Sequence, residues 1–105
     1  MSAPPITAVY PGSFDPLHLG HVDIVSRALT LFPRVVVAVL ENTEKRALLP
    51  ASQRVRLIQA TFAGVAGVEV TSFSGLLVEF MRQTGSRVML RGMRAVSDFE
   101  YEFQL

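Results

Sequence analysis

The sequence has no cysteine, and Lys45 is the one lysine among its ten basic residues. Without cysteine the chain can form neither disulfide bonds nor thiolate metal sites, and thiol redox chemistry is excluded. No apolar run approaches the roughly 20 residues that a membrane-spanning helix requires. The first residues also lack the basic leader and apolar core of a secretory signal. We therefore expect a cytoplasmic protein, in which any role for an ammonium side chain falls to Lys45.

The sequence also lacks an excess of charge of either sign, since ten basic and nine acidic residues give a net charge of +1. A chain with so little net charge presents no broad basic face, so we expect neither a nucleic-acid partner nor a membrane partner. Half of the 105 residues are apolar. This composition fits a single domain, residues 1–105, with a hydrophobic core of its own.

Segments typical of strands alternate with segments typical of helices. Apolar runs that favour strands cover 6–10, 34–40, 68–73 and 87–90, and helical periodicity covers 20–32, 50–62, 75–83 and 95–105. Successive β-then-α units predict an α/β fold with a Rossmann-like, doubly wound parallel sheet. The last helical pattern reaches Leu105 with neither a glycine cap nor a following strand, so we expect a C-terminally truncated fold.

A glycine-bearing segment, PGSFDP at 11–16, follows the first predicted strand. In open parallel sheets, ligands bind where the carboxyl ends of strands and the N-termini of helices converge. Gly12 permits close approach of backbone to a ligand, and Ser13 offers a hydroxyl and an amide, which together suit a phosphate. The alternative interpretation is a plain Pro/Gly turn in which Asp15 caps locally.

Two histidines, in the segment HLGH at 18–21, enter the next predicted helix. We interpret Gly20 as removing bulk between His18 and His21, where a nucleotide could rest. An imidazole at a helix start can donate a hydrogen bond to a phosphate oxygen as charge develops on it. Zinc binding is the rival interpretation, but these two histidines have no third ligand of the usual kind.

A second polar group, Arg91 and Arg94 around Gly92, follows the fourth predicted strand. Forked guanidinium donors match phosphate oxygens well, although an arginine pair at such a place can also be a solvated surface feature. Asp98 is expected to serve the dipole of the last helix. Apolar residues at helical spacing are expected to face the core in the third helix, namely Leu76, Leu77, Phe80 and Met81.

The segments YPGSFDPLHLGH (10–21) and RGMRAVSDFEYE (91–102) together resemble the bacterial phosphopantetheine adenylyltransferases, members of the HxGH nucleotidyltransferases. The first segment alone identifies the superfamily, and the second is much narrower. The resemblance covers Ile6 to Leu105 and implies a cytidylyltransferase-like nucleotidyltransferase domain over 1–105, incomplete at its C-terminus. It implies transfer of the adenylyl group from ATP to 4′-phosphopantetheine, which gives dephospho-coenzyme A and pyrophosphate in the penultimate step of coenzyme A biosynthesis.

The resemblance also implies roles for individual residues. The catalytic group would be His21, as transition-state stabiliser, with Lys45 and Arg94. Substrate contacts would be Ser13, Lys45, Leu77 and Arg91, with Leu77 at the pantetheine arm rather than only in the core. ATP contacts would be Ser13, Phe14, His18, His21, Gly92, Met93, Arg94 and Glu102. Magnesium would be bound through substrate phosphates rather than by a protein cage.

The resemblance leaves two alternatives and several partners to consider. His18 stands where many family members carry threonine, and family members continue past this length with a further parallel strand and a serine-rich nucleotide loop. The alternatives are an inactive nucleotide-binding or assembly fragment, and a related enzyme with another phosphate acceptor, against which DFEYE argues. Expected partners are ATP, 4′-phosphopantetheine, coenzyme A or dephospho-coenzyme A as product-like ligands, and further copies in a homohexamer.

Overall fold

A computed structural model describes residues 6–41 and 47–92, and its elements alternate between strand and helix as predicted. They are β1 (Thr7–Gly12), α1 (Leu19–Ala28), β2 (Arg34–Leu40), α2 (Ala51–Thr61), β3 (Val68–Phe73), α3 (Leu77–Thr84) and β4 (Val88–Met89). The predicted bounds of β2 and β3 are confirmed without change. The helix predicted over 95–105 lies outside the described residues.

The strands form one parallel sheet in the order β3-β2-β1-β4. Val9 of β1 pairs with Val36 on one side and with Met89 on the other. The chain therefore moves in one direction across the sheet from β1 to β3, and then returns past β1 to form β4. This reversal makes the gap between the carboxyl ends of β1 and β4 the topological switch point, where such sheets bind ligands.

Both faces of the sheet are covered by helices, as the doubly wound prediction requires. On one face, Val25 of α1 and Ile58 of α2 pack against buried valines of β2. On the other face, Phe80 and Met81 of α3 pack against a second cluster that contains Val9 and Phe73. Burial on both faces explains why β2 is continuously apolar rather than alternating. None of the helices in the described part of the chain is long and apolar enough to cross a membrane.

Strand β1 extends to Gly12, two residues beyond its predicted end before Pro11. The amide of Leu90 donates to the carbonyl of Val9, so Val9 directs its backbone groups towards β4. Backbone groups alternate in direction along a strand, so Pro11, two residues after Val9, faces the same side as Val9. An N–H at Pro11 would therefore point towards β4, which has already ended at this level. Proline at this place costs no hydrogen bond to β2, and the prediction of a break was wrong for that reason.

Two helix boundaries also differ from the prediction. Helix α1 ends at Ala28 instead of 32, because the amide and the hydroxyl of Thr30 both donate to the carbonyl of Arg27 at the helix end. Helix α3 begins at Leu77, because Gly75 takes a left-handed φ of 84° that a helix cannot include. Leu76 is consequently 72% exposed, and its predicted place in the core was wrong.

Two glycines before β3 provide a test of how tightly α1 and β3 approach. Gly67 has φ 89°, and a Cβ there would lie 2.6 Å from the carbonyl oxygen of Pro33, whereas Gly64 has φ 81° and open space around it. Alanine at either position pays about 1–2 kcal/mol for left-handed backbone. We expect Gly67→Ala to lower the free energy of unfolding in urea by more than Gly64→Ala, since only Gly67 meets backbone. Equal losses for the two variants would contradict this close approach.

Candidate nucleotide site

Loops from two neighbouring strands meet at the switch point. Residues 13–18 follow β1 and lead into α1, while Arg91 and Gly92 follow β4 on the adjacent strand. A Cβ built on Gly92 would lie 2.4 Å from Cδ1 of Ile24 in α1 and 3.6 Å from the hydroxyl of Tyr10. The ring of Tyr10 also contacts Phe14 at 5.1 Å and His21 at 6.2 Å, so Gly92 lies on the same side of the sheet as the loop and the HLGH helix start.

Phe14 occupies the centre of this loop in an unusual conformation. Its φ is 50°, in the left-handed region that bulky residues rarely adopt, and its side chain is 3% exposed. Its ring packs edge-on against Tyr10 at 5.1 Å and against His21 at 4.9 Å between centroids. A left-handed conformation at a bulky residue persists only where contacts with the surrounding structure hold it in place. Residues with such strained backbone are concentrated at functional sites.

His18 and His21 close the first turn of α1 by capping each other's backbone. His18 is the N-cap, and its Nδ1 accepts a hydrogen bond from the amide of Gly20 at 3.1 Å. In return, Nδ1 of His21 accepts from the amide of His18 at 3.0 Å. Because Nδ1 of each neutral ring acts as an acceptor, the ring proton lies on Nε2. His21 therefore carries an N–H donor on the side of its ring opposite this backbone contact.

The rings of the two histidines stack on each other, with centroids 3.7 Å apart and planes 21° from parallel. A Cβ on Gly20 would lie 2.9 Å from Cε1 of His18, so the space above Gly20 is filled by that ring. The two rings occupy the space between the histidines in this structure, and the interpretation that a nucleotide rests there stays a prediction. The lack of a side chain at Gly20 lets His18 fold back over the helix start and stack on His21.

Asp15 does not cap its own loop, so that part of the turn interpretation was wrong. Its carboxylate accepts hydrogen bonds from the amides of Leu48 at 2.6 Å and of Leu49 at 2.9 Å, more than thirty residues along the chain. The loop after β1 is thereby tied to the segment that leads into α2. Both oxygens of Asp15 are engaged by backbone donors.

Arg54 is a site residue that sequence reasoning missed. It is 5% exposed, and its guanidinium donates to the carbonyls of Leu49, Ser13 and Leu40. A signal was present, because Arg54 precedes the buried residues Ile58 and Phe62 by one and two i+4 steps. An arginine at the head of a core-facing stripe indicates a buried cation with specific backbone partners.

Leu77 is the one further predicted substrate contact, outside these two loops, that the structure describes. It is at the start of α3, which follows β3 in the chain, and it packs partly buried against the second cluster, which contains Val9 of β1. Lys45, Met93, Arg94 and Glu102 fall outside the described residues. The roles of all these residues stay predictions.

Comparison with known proteins decides the family, because the cytidylyltransferase-like family model matches residues 9–105. The chain belongs to the cytidylyltransferase-like family. It is 52% identical over 98 residues to the phosphopantetheine adenylyltransferase of Geotalea daltonii, covering 93% of this chain and 61% of that protein. It is 55% identical over 100 residues to the phosphopantetheine adenylyltransferase of Thioalkalivibrio sulfidiphilus, covering 95% of this chain and 63% of that protein. These relatives confirm the resemblance, and the chain spans about three-fifths of their length.

Solved structures support the fold. A lipopolysaccharide core biosynthesis protein from Thermoplasma volcanium superposes with a TM-score of 0.65 at 18% identity, over 96% of this chain and 88% of that one. The NadR protein, crystallised with NAD and AMP-PNP, superposes with a TM-score of 0.62 at 24% identity, over 68% of this chain and 21% of its own. The predicted Rossmann-like fold of nucleotidyltransferase type is confirmed.

The reciprocal cap can be tested at His18. Replacement by alanine removes the acceptor for the Gly20 amide and the ring that stacks on His21, and loss of an N-cap side chain costs about 1 kcal/mol. We expect His18→Ala to lower the free energy of unfolding by about that amount, and His18→Asn to restore most of it, because asparagine is a good N-cap acceptor. Urea unfolding monitored by circular dichroism measures both, and equal stability of His18→Ala and the parent chain would refute the cap.

Proposed function

We propose that this chain carries the adenylyl-transfer site of a phosphopantetheine adenylyltransferase, which joins AMP from ATP to 4′-phosphopantetheine and releases dephospho-coenzyme A and pyrophosphate. The observation that carries the proposal is the convergence at the switch point of the Ser13–Phe14 loop, the Nε2 donor of His21 and the backbone at Gly92. Relatives of that name, more than half identical over nearly the whole chain, supply the substrate pair.

The reaction needs little covalent chemistry from the protein. An oxygen of the acceptor phosphate attacks the α-phosphorus of ATP, the new P–O bond forms as the bond to the bridging oxygen breaks, and pyrophosphate takes up the bond's electron pair. Catalysis then consists of holding two anions in line and stabilising the charge that develops between them. A preorganised imidazole donor beside backbone amides at a helix N-terminus suits that task.

His21 would act as a hydrogen-bond donor to a phosphate oxygen through Nε2. Its ring is held in place on two sides, by stacking on His18 at 3.7 Å and by edge contact with Phe14 at 4.9 Å. A donor fixed before substrate arrives costs no reorganisation during the reaction. Arg91 and Arg94, with Lys45 between the two substrates, would add cationic contacts to the phosphates.

Magnesium belongs to this proposal as a cation carried by the phosphates of ATP, where it neutralises charge. The donor set fits that arrangement, since the one acidic side chain of the loop, Asp15, already accepts two backbone hydrogen bonds. Magnesium is commonly held by few protein ligands together with substrate phosphates and water. The proposal further includes coenzyme A or dephospho-coenzyme A as product-like ligands, a homohexamer and a cytoplasmic location.

The function is tested by pyrophosphate release from the 105-residue chain, which should require ATP and 4′-phosphopantetheine together. We expect His21→Ala to lower kcat about 10²- to 10³-fold, the usual cost of losing one transition-state donor. Ser26→Ala, at an exposed position of the same helix, serves as the control and should leave kcat unchanged. ATP binding without turnover would contradict the enzyme proposal, and full activity of His21→Ala would remove His21 from the mechanism.

Lys45 offers a separate test, because it is the single lysine of the chain. If it bridges the two substrates, Lys45→Ala should lower kcat/KM for 4′-phosphopantetheine about tenfold or more, as expected for loss of a hydrogen bond to a charged group. Lys45→Arg retains the charge and should recover part of the rate. An undiminished rate in Lys45→Ala would refute the bridging role.

A further inference from the structure

The buried guanidinium of Arg54 touches the loop after β1 from inside the protein. One of its terminal nitrogens donates to the carbonyl of Ser13 at 2.6 Å and to that of Leu40 at 3.3 Å, and its Nε donates to the carbonyl of Leu49 at 2.9 Å. Arg54 therefore joins the loop, the carboxyl end of β2 and the entry to α2. A lysine could not reproduce this arrangement, because it lacks the rigid planar fork.

The hydrogen bond from Arg54 to the carbonyl of Ser13 orients the whole peptide unit between Ser13 and Phe14. Ser13 C=O and Phe14 N–H belong to the same planar peptide unit, and in a trans peptide they point in opposite directions. Holding the carbonyl of Ser13 against Arg54 therefore directs the amide of Phe14 away from α2 and the protein interior. The φ of 50° at Phe14 is then determined jointly by this bond and by the packing of its ring.

Among the described residues, the donors on the outer side of the loop have no protein acceptor. Within residues 6–41 and 47–92, neither the amide of Phe14 nor the amide and hydroxyl of Ser13 donates a hydrogen bond. Buried or half-buried backbone donors are nearly always paired. Phe14 is 3% exposed, so its amide is a donor for which a ligand acceptor would fit.

The charge of Arg54 favours the same kind of ligand. Among the residues that the structure describes, no carboxylate forms a salt bridge with it, and its known partners are neutral carbonyls. A buried cation that binds neutral carbonyls raises the potential on the loop above it, and a nearby anion would lower its electrostatic energy. The loop thus combines outward amides with a positive charge behind them.

Asp15 and Arg54 both bind the backbone of Leu49, on either side of its Cα. The amide of Leu49 donates to Asp15, and the carbonyl of Leu49 accepts from Arg54. Asp15 belongs to the loop that Arg54 orients, so the two side chains brace the loop and the entry to α2 against each other. We name this set of contacts among Asp15, Leu49, Arg54 and Ser13 the loop clamp.

We propose that Arg54 is a positioning residue which, through the loop clamp, presents the Phe14 amide as a hydrogen-bond donor to the polyphosphate of ATP. The inference rests on the proposed function for its choice of anion. A positioning role can be distinguished from a purely structural role of Arg54 by the conservative change Arg54→Lys. This change should keep the fold and the charge, but it should free the Ser13–Phe14 peptide from its hydrogen bond to residue 54.

The test follows the Phe14 amide by NMR in a chain labelled with ¹⁵N-phenylalanine, with its resonance assigned by its loss in Phe14→Leu. ATP should shift this resonance downfield in the parent chain. In Arg54→Lys the shift should disappear, and the Kd for ATP measured by calorimetry should rise about tenfold, the lower range for one lost hydrogen bond to a charged group. Arg56→Lys, at an exposed position of the same helix, is the matched control and should behave as the parent chain.

Three results would overturn the proposal or the function on which it rests. A folded Arg54→Lys with parental affinity and a parental Phe14 shift removes Arg54 from the positioning role. If the Arg54 variant does not fold, the spectrum of the parent chain decides. The proposal is refuted if ATP shifts other amide resonances of the parent chain but leaves the Phe14 resonance unchanged. Pyrophosphate release, measured separately, tests the enzyme: ATP binding with a Phe14 shift but no turnover rejects adenylyl transfer and retains the role of Arg54.

Discussion

The placement of β1 between β2 and β4 is the constraint on which the site depends. Parallel pairing on both sides buries the centre of β1, with Ala8 and Val9 at 0% exposure. Since the crossover through α3 places β4 beyond β1, the loop after β1 and the backbone after β4 must emerge side by side. Gly92 then lies so close to α1 that a Cβ built on it would come within 2.4 Å of Cδ1 of Ile24.

Two side chains of opposite charge, Asp15 and Arg54, fix the loop that leaves β1. Each of them forms hydrogen bonds with backbone groups rather than a salt bridge with the other. Asp15 accepts amides of the segment before α2, and Arg54 donates to carbonyls on three segments. Burial of an arginine without a paired carboxylate is costly unless its donors are satisfied. The loop geometry and the burial of Arg54 therefore support each other, and the left-handed conformation of Phe14 is a consequence of both.

Sequence reasoning succeeded where one local property decides the outcome. The continuously apolar run of β2 and the glycine breaks before β3 fix those bounds, and the coincidence of Gly12, His21 and Gly92 at one sheet edge follows from alternation of strand and helix. Sequence reasoning failed where the outcome depends on a specific side-chain contact. The end of α1 depends on Thr30, the stacked histidines depend on a ring folding over Gly20, and the burial of Arg54 depends on carbonyls 5, 14 and 41 residues away.

The donors proposed for this site suit anions in general and carry no information about which acceptor is bound. Backbone amides, a helix N-terminus and the Nε2 donor of His21 suit any nucleoside triphosphate joined to any phosphate. Selection of one acceptor over another must therefore come from side chains outside the loop. The sequence resemblance assigns that part to Lys45, Leu77 and Arg91. Leu77 packs against the second cluster, whereas Phe14 packs in the first, on the opposite face of the sheet. An acceptor that contacts both Leu77 and the loop after β1 must therefore extend beyond a single phosphate group.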